Sequence, residues 1–192
     1  MPTLHLTGDA DADALLSRDP LALLIGMALD QQIPMEKAFR GPLVLTERIG
    51  RGLQARDLAG RDDLEDVFAV PPAIHRFPGS MAGRVRELCR FLVEHHGGRA
   101  QDLWEGAVDG ADLLARMTAL PGFGEQKAQI FVALLGKQYG VQPRGWRTVA
   151  GRYGERDVHR SVADVTGPES LAAVRADKKA QKAAARERSA PA

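Results

Sequence analysis

At 192 residues, 44% of them hydrophobic, the chain is long enough to close a real core, and its single Cys89 excludes both a disulfide framework and a four-cysteine iron–sulfur cluster. The formal net charge of +1 identifies no partner, yet it is unevenly spread: residues 1–69 hold seven basic and twelve acidic side chains, the remainder nineteen and thirteen. Residues 1–20 lack a basic-then-apolar leader pattern, and the longest apolar run, residues 21–29, falls far short of the roughly 20 residues a membrane helix needs. The expectation is a cytoplasmic protein without a metal site or cofactor.

Residues 3–6 read as extended, after which Thr7, Asp9 or Asp11 can cap a short helix reaching Leu16. Asp19-Pro20 opens a second helix, with Leu21, Leu24, Ile25, Ala28 and Leu29 as its buried stripe. It ends at Asp30-Gln31-Gln32-Ile33-Pro34, and a proline-started helix follows over residues 35–39. Gly41-Pro42 is expected to break that helix, leaving residues 43–49 as another. Residues 62–70 form an amphipathic helix closed by Pro71-Pro72. Ser80 can cap a long helix over residues 81–95, with Val85, Leu88, Phe91 and Leu92 on one face and Arg84, Arg86 and Arg90 outside. His95-His96 reads as a solvated helix end rather than a metal pair, because adjacent helical residues point apart. Residues 100–107 and then 110–119 lead into a very short turn.

That turn, Leu120-Pro121-Gly122-Phe123-Gly124-Glu125-Gln126-Lys127-Ala128, carries the strongest local signal. Pro121 disfavours helical geometry at Leu120, while Gly122 and Gly124 allow unusual backbone angles and leave one side open. The amides at the start of the next helix face out through that opening with the positive end of its dipole, which suits a phosphate oxygen, and Lys127 adds a cation. An ordinary helix connection with a glycine cap is the plainer reading.

The pattern closely resembles the helix-hairpin-helix of the HhH-GPD superfamily of base-excision DNA glycosylases, nearest its alkylpurine branch. The resemblance spans about residues 19–135, including the helix opening Met81-Ala82-Gly83-Arg84-Val85-Arg86-Glu87-Leu88. It implies an all-α fold of two helical lobes with a DNA groove between them, over residues 1–168, with the hairpin at 112–135. It also implies DNA contact by Gly122, Phe123, Gly124, Gln126 and Lys127, with Arg144 from the following basic stretch. The Gln31-Gln32 pair is similar to the loop that faces the minor groove in that branch, Gln32 matching the residue that helps fill the gap left by a flipped nucleotide. A polar helix end is the alternative for both glutamines.

Cleaving a glycosidic bond passes through an oxocarbenium-like state, so a carboxylate must lie near the sugar, and the base must leave the stack for a pocket. In the superfamily that carboxylate follows the hairpin's second helix, but residues 139–147 here contain no acid. Asp30, beside the glutamines, and Asp157, in Asp157-Val158-His159, are the two replacements. The alternatives are a simple helix-end acid for Asp30 and a cap of the next helix for Asp157. Strand-cutting members carry a lysine where this chain has Gln126; Lys127 is one residue on, about 100° around the helix, so no lyase activity is expected. Trp146 and Tyr153 can stack on an extruded base or fill the core.

Residues 169–192 read as a basic, Ala-rich helical tail, adding nonspecific phosphate affinity or serving only as a soluble end. The expected function is a monofunctional DNA N-glycosylase in base-excision repair, monomeric and nucleoid-associated, acting on double-stranded DNA that contains a damaged base. A catalytically silent protein that recognises damaged or distorted DNA is the alternative, and a hairpin serving only protein contact is a third.

Overall fold

The computed structural model describes residues 2–189, with side chains through Ala185, and every regular element among them is helical. In chain order these are α1 (Ala10–Arg18), α2 (Pro20–Leu29), α3 (Met35–Ile49), α4 (Ala55–Ala59), α5 (Leu64–Ala69), α6 (Pro78–His96), α7 (Asp102–Glu105), α8 (Gly110–Thr118), α9 (Glu125–Gln138), α10 (Trp146–Val149) and α11 (Pro168–Ser189). Two 3-10 turns, Gly151–Tyr153 and Val162–Asp164, lie between the last two helices.

The caps explain why the first helices start where they do. Asp9 accepts the amides of Asp11 and Ala12, and Asp19 accepts those of Leu21 and Ala22 ahead of Pro20 at the first helical position. The segment before α1 is pinned rather than paired: buried Asp13 accepts the Leu6 and Thr7 amides and the Thr7 hydroxyl. Helix α2 is buried along its whole apolar length and packs against α3.

Gly41-Pro42 does not end a helix. Residues 35–49 form one element with Pro42 inside it. A helical proline forfeits a hydrogen bond and its ring crowds the residue before it, and here that residue has no Cβ to crowd. A Cβ on Gly41 would come within 2.7 Å of the Leu29 side chain, so the same glycine also lets α3 approach α2. The apolar face of Ala38, Phe39 and Leu45 runs through the proline unbroken.

Helix α6 begins at Pro78, three residues before the start expected from Ser80, because Pro78 takes the first-turn position. Its apolar face, Met81, Ala82, Val85, Leu88, Cys89 and Leu92, packs against α4 and α5. Burial pushes the Cys89 thiol up to about 12, which makes it chemically inert. His95 and His96 lie at the helix end, their rings against Phe91. Among the described residues no group of histidine, cysteine and acidic side chains is placed to hold a metal ion, and no helix is long and apolar enough to cross a membrane.

Helices α8, α9 and α10 pack on one another at the other end of the chain. Trp104 of α7 meets Phe131 of α9 and Tyr139 just past its end edge-on, with ring centroids 6.2 and 5.9 Å apart. Trp146 is buried with its ring over Gly136, where a Cβ would lie 2.4 Å from ring carbons. Lys137 and Asp164 form a nearly buried ion pair at 2.5 Å, and Asp164 also accepts the Arg160 and Ser161 amides. One continuous apolar core joins all of these elements, reaching into α11 only as far as Val174. The side chains of Arg186, Glu187 and Arg188, which carry part of the tail's charge, lie outside the described residues, as do residues 190–192.

Candidate functional site

The α8–α9 connection is a tight turn. The Phe123 amide donates to the Leu120 carbonyl at 3.1 Å, Pro121 holds the second position, and Gly122 takes φ +79° at the third, as a type II turn requires. Gly124 does not need a positive φ; it is extended at φ −78° with open space around it, and it gives α9 no side-chain cap. The first amides of α9 therefore face an unobstructed surface with the helix dipole behind them. Phe123 turns the other way: it is buried edge-on to Phe131 and fastens the turn to the core, so only its backbone is at the surface.

Lys127 also points inward. Its ammonium donates to the Ala28 carbonyl at the end of α2, 3.1 Å away, and lies 5.6 Å from the centre of the Phe123 ring. Burial draws its pKa from 10.5 down to about 8, against the opposing pull of the Asp30 carboxylate and with a smaller push from the Arg84 cation. Asp30 caps the C-terminal end of α2 through its backbone. Burial raises its carboxyl above the usual range, while Lys178 and Lys127 act to lower it.

The loop after α2 is held by several independent ties. Gln31 donates to the Ala28 carbonyl at 3.0 Å and accepts from Arg84 at 3.2 Å, and the Arg84 guanidinium lies beside the hairpin glycine Gly122. Buried His75 donates through Nε2 to the Gln31 carbonyl at 2.9 Å and accepts the Phe77 amide at Nδ1, 3.0 Å away. Those two partners require the neutral Nε2–H tautomer, and burial accordingly lowers the imidazole pKa. Gln32, at the exposed tip, is left-handed with φ +57°. Phe77, one of the few large apolar side chains at the surface, is thereby coupled to the glutamine loop.

Beside this loop lies one half-open cavity of about 360 Å³, lined by Asp30, Gln31, Gln32, Gln126, Lys127 and Tyr153 among others. Gln126 donates to the Tyr153 hydroxyl at 2.8 Å, and so does Arg152 at 3.0 Å. Arg152, Arg160, Lys178 and Gln181 complete the polar lining, so the one carboxylate faces four cations. An anionic ligand with a group to be stabilised beside Asp30 matches that balance.

Six of the residues picked from sequence thus meet at one place, and six do not line it: Gly122 and Gly124 stay in the hairpin turn beside it, and Asp157, Trp146, Arg144 and Phe123 lie elsewhere. Asp157 lies in a different depression with Lys137 and Asp164, at φ +54°, and caps no helix, since Ser161 caps the following turn. Trp146 is core, with the Arg147 guanidinium 4.3 Å over its ring, so it is not a stacking surface for a base. Arg144 is exposed elsewhere, its carbonyl accepting the Gly110 amide. Phe123 is internal, as described. Sequence reasoning did not pick His75, Phe77, Arg160, Lys178 or Gln181, because each joins the site through distant chain segments with no local motif. No protein-family model matches this chain, and neither a curated protein nor a solved structure is found similar to it.

Proposed function

We propose that the chain is a base-excision repair protein with a helix-hairpin-helix of the HhH-GPD kind, a monofunctional N-glycosylase hydrolysing damaged, foremost alkylated, bases from duplex DNA. The observation that carries this reading is the meeting of Asp30, Lys127 and the Gln31-Gln32 loop in one cavity beneath the hairpin helix. The open amides of α9 and the surrounding cations take the phosphate backbone without reading sequence. Gln32, presented at a strained tip, enters the space that the extruded nucleotide vacates, and Phe77, fixed to the same loop through His75, wedges the neighbouring base step.

Asp30 is then the carboxylate near the sugar. Held against Lys127 and Lys178, it stabilises positive charge as the glycosidic bond breaks, and water completes the hydrolysis. A cationic alkylated base departs readily and demands least of that acid. The second reading, a damage-binding protein without catalysis, is favoured by one specific feature: the loop after α9 carries no acid.

Single-turnover base release from duplexes bearing alkylated, deaminated or oxidised bases, with alkali revealing abasic sites, separates the two. The glycosylase reading expects release by the wild type, a loss of about a hundredfold or more in Asp30→Asn, and little change in Asp157→Asn. Retained duplex binding without release of any base transfers the assignment to the damage-binding reading.

A further inference from the structure

The C-terminal helix does not stand clear of the cavity. Leu171 packs on the core and Val174 is fully buried, which seats the start of α11. Beyond Val174 the helix buries no apolar side chain through Ala185, yet it does not turn away. Arg175 pairs with Glu36 at the start of α3, and Lys178 and Gln181 reach into the cavity wall. Residues three apart on a helix are neighbours, so these side chains form one stripe, two of whose members stand in the cavity wall. Asp177 adds an electrostatic contact to Arg152.

Two of these contacts set a tail residue against a group with another proposed use: Lys178 against Asp30, Asp177 against Arg152. The tail therefore satisfies, within the chain, charges that an incoming nucleotide would satisfy. It does so weakly, because Lys178 is exposed, neither contact is a close ion pair, and no apolar burial backs them.

We propose that α11 is a strap across this cavity, and that duplex DNA binds by lifting it. The inference rests on the cavity being the DNA-facing site. Seated, the strap occupies the space the extruded nucleotide needs; lifted, its lysines are free to meet phosphates.

The test holds the strap down covalently. Glu36→Cys with Arg175→Cys places two facing thiols at its edge, the one at 36 uncovered by removal of the Arg175 side chain, while Cys89 is too buried to react. The double variant is bridged with a short bis-maleimide or, as the control, capped with N-ethylmaleimide. Binding is read by anisotropy on a fluorescein-labelled duplex carrying a tetrahydrofuran abasic analogue. The strap predicts that bridging lowers affinity by about tenfold or more relative to capping, because the competent state is removed. Equal affinity of the two forms overturns it. If neither form nor the wild type binds the duplex, the DNA reading itself has failed. The strap is then judged by acetylation of Lys127 with acetic anhydride, followed by mass spectrometry: slower acetylation in the bridged form upholds it, and equal rates overturn it.

Discussion

At the scale of single residues, the site is governed by burial of groups that water would otherwise keep charged. Lys127 titrates at about 8 when folded and near 10.5 when free, so between those values the unfolded chain holds a proton that the folded chain has released. Stability therefore rises with pH across that window, while attraction for phosphate falls as pH passes about 8. Duplex affinity measured from pH 7 to 9.5 should weaken near pH 8 in the wild type and stay flatter in Lys127→Arg, whose guanidinium remains charged. His75 acts through geometry instead. Replacing it with Phe leaves the Gln31 carbonyl and the Phe77 amide without their partner, and urea unfolding should show a loss of about 1–3 kcal/mol. A neutral outcome would mean that water serves both groups equally well.

At the scale of elements, what could be read in advance was what the backbone itself demands. The hairpin was legible because Pro121 and Gly122 fit few turn types, and α2 because Asp19-Pro20 opens a helix in only one way. Pro42 misled for a complementary reason: a local rule for breaking helices was outweighed by packing of α3 on α2, which no neighbouring residue announces. Asp157 lies outside the cavity for a similar reason, since a short motif cannot say which way a loop faces. Contact between α9 and α10 depends on Gly136, whose missing side chain is filled by the Trp146 ring. Gly136→Ala forces a methyl into that ring, and overpacking of this kind costs about 1–3 kcal/mol. Thermal denaturation should show a clear drop, and relief by Trp146→Leu in the same background would identify the clash as its cause.

At the scale of the whole molecule, the cavity is assembled from both ends of the chain: α2 and its loop, α9, the segment around Tyr153, and α11. Tail residues 178 and 181 were invisible as site residues because composition marks them only as a basic, Ala-rich run. The segment that supplies Arg152 and Arg160 is anchored by the Lys137–Asp164 pair, in which Asp164 is almost without solvent. Lys137→Met strands that carboxylate, and loss of a partner from a buried pair costs about 3–5 kcal/mol. Urea unfolding would register it; a cost below about 1 kcal/mol would show that the Ser161 and Arg160 amides alone suffice to hold Asp164.

The two tryptophans, Trp104 and Trp146, both lie against α9, and α1 to α6 contain none. Intrinsic emission is thus a one-sided reporter: it follows the environment of the hairpin-bearing helices and is blind to the helices before them. Circular dichroism sees every helix. A denaturant titration followed by both signals can therefore tell whether the two halves melt together, without a single label or substitution.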